Sequence, residues 1–170
     1  MFRDIEFPTF QAEALLENFL LRATIQPRGD FLTYLNDRSW PTIPFHDVEL
    51  LPVAKERKVG AIKQELVTIN KSHLCMLSLP DIEQTKDIQL PVTKRAVVFY
   101  FVNFAIQGQL HIRPDAPDED LMDEMHAFFA VSEASVFPLW PVASTPISRV
   151  PLLYINRPQI QAYHVSKTDS

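Results

Sequence analysis

VTINKSHLCMLSL, residues 67–79, and LYINRPQIQAYHV, residues 153–165, read as one phrase written twice, 86 residues apart. Val67 falls opposite Leu153, Ile69 opposite Ile155, Asn70 opposite Asn156 and Lys71 opposite Arg157. Leu74, Leu77 and Leu79 then fall opposite Ile160, Tyr163 and Val165. On both sides of the Asn-basic pair, apolar residues recur at the spacing of strands. Asparagine tolerates a left-handed backbone and closes Asx turns, and Pro158 fixes its own φ. The phrase therefore predicts strand, corner, strand. Within it, Lys71 and Arg157 are either solvated turn residues or, with Asn70 and Asn156, a polar-basic ligand site made twice.

The repetition extends upstream. Pro52-Val53-Ala54 recurs as Pro141-Val142-Ala143, and Val48 falls opposite Val136. Ile25-Gln26-Pro27 falls opposite Ile112-Arg113-Pro114, and Phe7-Pro8 opposite Leu90-Pro91. The offsets drift between 83 and 89 residues, as loop insertions would make them. These matches predict two modules, residues 1–80 and 92–170, joined by a polar, proline-bracketed linker at 81–91. Each is a marginal size for an independent core, so the two are expected to pack on each other.

Residues 95–107 are rich in Val, Phe and Tyr, which favours a strand, and Gly108 permits a bend before the strand continues to residue 113. Phe99, Tyr100, Phe101 and Phe104 form an aromatic band with few basic neighbours, the pattern of core packing. Asp115 and Asp118 have capping spacing, and Pro117 suits a first turn, so a short acidic helix is expected there. Residues 130–139, 150–156 and 159–165 read as further strands. In the first module the helix slot is GDFLTYLND, residues 29–37, with Phe31 and Leu35 as its apolar stripe. Residues 10–23 have the residue types of an amphipathic helix, but their counterpart reads as strand, and the strand is preferred. The expected fold class is mainly β: two similar small barrels in tandem, each with one short helix, packed as a pseudo-dimer.

Composition narrows the function. The chain has 170 residues, a net charge of −5 and only three glycines, Gly29, Gly60 and Gly108, from which no phosphate-cradling loop can be built. Acidic charge disfavours nucleic acid as a partner. The single cysteine, Cys75, sits among Leu74, Met76 and Leu77 and is expected to be a buried, inert thiol. The longest apolar run, 11 residues from Ala96, is too short for a membrane helix, and residues 1–7 lack an apolar leader core, so a cytoplasmic location is expected. No nucleophile elbow occurs, and the clustered acids offer no contrasting pair for acid–base chemistry. A non-enzymatic role without cofactor or metal is expected. The enzyme alternative is a metal site made by the acidic segment with His111 and His126.

The apolar-x-Ile-polar-basic ending resembles the corner between the last two strands of Sm-like proteins, and Gly108-Gln109-Leu110 is similar to the Gly-x-Leu of that family's first motif. This chain departs from the family where Lys71 and Arg157 replace the glycine of its Arg-Gly pair, and where the base-holding loop is absent. The resemblance implies Sm-like barrels. It also implies assembly through edge strands, such that three chains would complete a six-module homo-oligomeric ring. It implies, as a second reading, RNA contact at Asn70, Lys71, Asn156 and Arg157. The expected role is thus an interaction or assembly protein whose partner is another copy of itself or an unidentified protein.

Overall fold

The computed structural model describes residues 7–112, 114–115, 117, 121–122 and 126–167. It is mainly β. β1 (Phe10–Leu15) and β2 (Phe19–Ile25) form a hairpin, followed by α1 (Phe31–Asn36), β3 (Thr42–Pro52), β4 (Ile62–Asn70) and β5 (Met76–Leu79). After α2 (Ile82–Thr85) come β6 (Lys94–Tyr100), β7 (Phe104–His111), β8 (Phe128–Pro138), β9 (Arg149–Asn156) and β10 (Ala162–Val165). All ten strands belong to one sheet, in the order β10-β6-β7-β8-β9-β5-β1-β2-β3-β4. Every neighbouring pair is antiparallel.

This topology corrects the expectation of two Sm-like barrels in tandem. Closing the first half on itself would require β4 to pair with β5. Instead β5 gives one edge to β1 and the other to β9, so it has no edge left for β4. The second half does not close either, because β10 pairs β6 and leaves its other edge free. The sheet is continuous and unclosed, with β10 and β4 at its ends.

A repetition is present inside that single sheet. The order β5-β1-β2-β3-β4 recurs as β10-β6-β7-β8-β9. Registers agree closely: Phe19 faces Pro52 as Phe104 faces Pro138, and Thr42 faces Asn70 as Phe128 faces Asn156. Equivalent residues therefore lie 85 apart in the first two strands and 86 apart afterwards. Pro52 is equivalent to Pro138, not to Pro141 as the sequence phrases suggested, and Val48 to Ala134 rather than Val136. Each half also carries one bulge at the same place, opposite Ala23 and opposite Gly108. The bulged residues, Asp47 at φ 52° and Glu133 at φ 50°, adopt the left-handed backbone that such an insertion demands.

Alternation explains how an open sheet buries so much. Along β8 and β9, Phe128, Ala130, Leu152 and Tyr154 enter a core shared with Ile43, Phe45 and Val48 of β3. Their neighbours Phe129, Val131, Leu153 and Ile155 enter a second core with Val97, Phe99, Ile106 and Leu110 of β6 and β7. β5 and β1 divide likewise, Met76 and Leu15 to the second core, Leu77 and Ala14 to the first. The central strands are thus covered on both faces, one by each wing of the sheet. Three of the four aromatic-band residues are core, as expected: Phe99, Phe101 and Phe104 are buried, whereas Tyr100 is half-buried with its hydroxyl on His164 Nε2 at 2.9 Å.

Two local expectations change. Residues 10–23 are neither one helix nor one strand but a hairpin, and the long strand expected from 95 is another. Its turn closes with Phe101 N–H donating to the Phe104 carbonyl at 2.9 Å, as Leu16 N–H donates to Phe19 at 2.8 Å. The expected helix α1 forms, with Gly29 at φ 87° leading into Asp30, whose carboxylate caps Thr33 N–H at 2.9 Å. The expected acidic helix lies largely outside the described residues. The segment read as a linker contains α2, and Gln84 there accepts a hydrogen bond from Gln11 N–H at 3.0 Å, tying it to the start of β1. No helix among the described residues is long and apolar enough to cross a membrane.

Candidate functional site

The β5–β9 contact is where the two halves meet, and it brings both Asn-basic corners together. Four pairs define it: Met76 with Ile155, Leu77 with Tyr154, Ser78 with Leu153 and Leu79 with Leu152. Just beyond the Met76–Ile155 pair, Asn156 N–H donates to the Cys75 carbonyl at 3.0 Å. The buried Asn156 carboxamide then donates to the main-chain carbonyls of Leu74 at 2.9 Å and Lys71 at 3.3 Å. Gln159 adds a donation to the Ser72 carbonyl at 2.7 Å. The first corner, a single 3-10 turn at Lys71–His73, is therefore held by the side chains of the second.

Beside this joint lies a cleft of about 530 Å³, and all four residues singled out in the sequence line it, with Asp37, Arg38, His126 and Phe128. Convergence does not make three of them available. Lys71 is buried, and its ammonium donates to the carbonyls of Tyr34 at 2.6 Å and Asp37 at 3.1 Å, 4.8 Å from the Tyr34 ring centre. It caps the carbonyl end of α1. Burial lowers its pKa from the ordinary lysine value, opposed by the nearby Asp37 carboxylate. Arg157 donates to the Met122 carbonyl at 2.9 Å, and Asn156 serves the joint as described. Asn70 differs: it is exposed, and its side chain makes no hydrogen bond with the described residues.

The cleft is further framed by Asn36, whose carboxamide both donates to the Phe128 carbonyl (3.0 Å) and accepts from Phe128 N–H (2.8 Å), extending the edge of β8 with a side chain. Ser39, through its hydroxyl and N–H, holds the Asp37 carboxyl below the usual carboxylate range.

The metal alternative finds no support in the described residues, and most of the acidic segment it needs lies outside them. Among the described residues no three His, Cys, Asp or Glu side chains gather to hold an ion. His111 engages both ring nitrogens, one with the Pro91 carbonyl at 2.7 Å and the other with Ser132 Oγ at 2.6 Å. Cys75 is buried, and burial pushes its thiol up to about 12, which suits the inert role expected of it.

Sequence reasoning missed the buried acid Glu13. Its carboxylate accepts from Arg22 Nε at 3.0 Å and from Ile147 N–H at 2.7 Å. It pins the loop between β8 and β9 across the first hairpin. The signal was present in principle, since Glu13 directly faces Arg22 in the β1–β2 register, but that register requires recognising the hairpin.

Outside the cleft, the two free edges are the most exposed strands. Every residue of β5 is buried, whereas its equivalent β10 is exposed or half-buried throughout. Leu152 is 1 % exposed, whereas its equivalent Leu66 on β4 is 54 % exposed. Comparison with protein-family models, curated proteins and solved structures finds no match. The Sm-like resemblance is thus supported neither by topology nor by relatives, and it no longer argues for barrel-based assembly or for RNA contact.

Proposed function

We propose that the chain is a self-associating unit whose open sheet is extended when β4 of one copy pairs with β10 of the next. One observation carries this reading: the strands equivalent to β4 and β10 already pair inside the molecule, as β9 and β5. What the internal joint buries, the two ends leave uncovered. A nine-residue edge strand with an exposed leucine is a template for another strand unless something covers it.

The two edges differ and lie at opposite ends of the sheet, so the joint is head-to-tail. Such a joint makes a ring if the rotation closes and a filament if it does not. Analytical ultracentrifugation of the purified chain over a range of concentrations tests this. Self-association predicts species larger than 19.5 kDa that grow in with concentration. A single discrete species at a whole-number multiple of the chain mass would identify a closed ring. A single 19.5 kDa species at every concentration would contradict the proposal.

A further inference from the structure

Resting on that self-association, we infer that Asn70 is the latch of the joint between copies, doing across chains what Asn156 does within one. The internal joint supplies the register. Moving each β9–β5 pair by the 86-residue equivalence sets Ile69 against Ala162 of the next copy, Thr68 against Tyr163, Val67 against His164 and Leu66 against Val165. Asn70 then stands just beyond the Ile69–Ala162 pair, as Asn156 stands beyond Ile155–Met76.

The acceptors are in place. Asn156 donates to Lys71 and Leu74, whose equivalents are Arg157 and Ile160. The local turns match as well: Leu74 N–H donates to Lys71 at 3.2 Å, and Ile160 N–H donates to Arg157 at 3.0 Å. Both corners are a 3-10 turn preceded by an extended asparagine, at φ −69° and ψ 124° for Asn70 and φ −88° and ψ 107° for Asn156. A carbonyl has two lone pairs, so the Arg157 oxygen can take the Asn70 carboxamide in addition to its own turn bond, as the Lys71 oxygen takes Asn156.

Apolar matching agrees. Leu152 and Tyr154 belong to the second half yet lie in the first half's core. By the same rule Leu66 and Thr68 enter the neighbouring copy, alongside Val165 and Tyr163. This accounts for an exposed leucine on the outer edge and for an asparagine at its end whose side chain makes no hydrogen bond with the described residues.

Paired cysteine variants test the register, and Asn70→Ala tests the latch. A mixture of Val67→Cys and His164→Cys chains is expected to form a thiol-reversible dimer several-fold faster than Val67→Cys with Ala162→Cys, which is two residues out of register. Asn70→Ala is expected to weaken association about tenfold, while Lys63→Ala on the same strand leaves it unchanged. Association with no preference for the in-register pair, or unaffected by Asn70→Ala, would overturn the latch and leave self-association standing. Absence of any association in the unmodified chain would overturn both.

Discussion

At the scale of single residues, two asparagines in the same phrase have different work. Asn156 is buried and donates into the first corner at the end of the internal joint. Removing it takes from the buried Leu74 carbonyl its side-chain donor and weakens the hold on Lys71, so Asn156→Ala should cost about 1–3 kcal/mol, read by urea unfolding. Asn70→Ala, measured in dilute protein, should lie within about 0.5 kcal/mol of the unmodified chain, since the side chain touches none of the described residues through a hydrogen bond. The four polar residues of the doubled phrase were legible in the sequence as a set. Their directions were not, because Lys71 turns inward to Tyr34 and Asp37 through contacts 34 and 37 residues away. No local pattern encodes that. Cys75 was legible from its apolar neighbours, and it gives a pH prediction. Its folded pKa, about 12, lies above the unfolded value of 9.0, so its contribution is complete below pH 9 and is lost as pH rises toward 12. The loss amounts to about 1.4 kcal/mol for each unit crossed. Alkaline unfolding of Cys75→Ala should accordingly be less steep over that window than that of the parent chain, and equal slopes would speak against the assignment.

At the scale of elements, most strands could be read from alternation, but where they break could not. Residues 95–113 look continuous because Phe101 and Val102 are as apolar as the strands they separate. The turn between β6 and β7 is marked only by Asn103, which donates to the Glu17 carbonyl in the other hairpin's turn at 2.8 Å. The same lack of punctuation let residues 10–23 pass for a helix, although Asn18 sits at the equivalent turn. Gly108 was read correctly as a place where the strand deforms, and the bulge opposite it supplies the reason. A Cβ there would run into the Val131 side chain, and would lie 3.1 Å from the Ser132 carbonyl oxygen and 3.3 Å from the Ala134 Cα. Gly108→Ala should therefore destabilise by about 1–3 kcal/mol, as overpacking does, with the midpoint of thermal unfolding as the measurement.

At the scale of the whole molecule, the doubled phrase did announce a repeated strand order. It could not announce that the two halves share one sheet. Closure or continuation depends on which edge β5 offers and to whom, and β5 is buried by β1 and β9 together. The phrase matches in sequence were also misaligned by two or three residues in the middle, because they followed apolar composition where the true equivalence follows strand register. The edges left over have a consequence for association. Leu66→Lys places a charge where the joint would bury a leucine, yet the site is exposed in the single chain. It should weaken association at least tenfold in sedimentation while leaving the circular dichroism spectrum and unfolding midpoint of dilute protein unchanged. Amide hydrogen exchange, followed in dilute and in concentrated protein, tests the joining of edges most directly. Residues 66–70 and 162–165 are predicted to become slower together as concentration rises, with β3 and β6 unchanged. Slowing confined to any other surface, or association with both edges still exchanging freely, would contradict it.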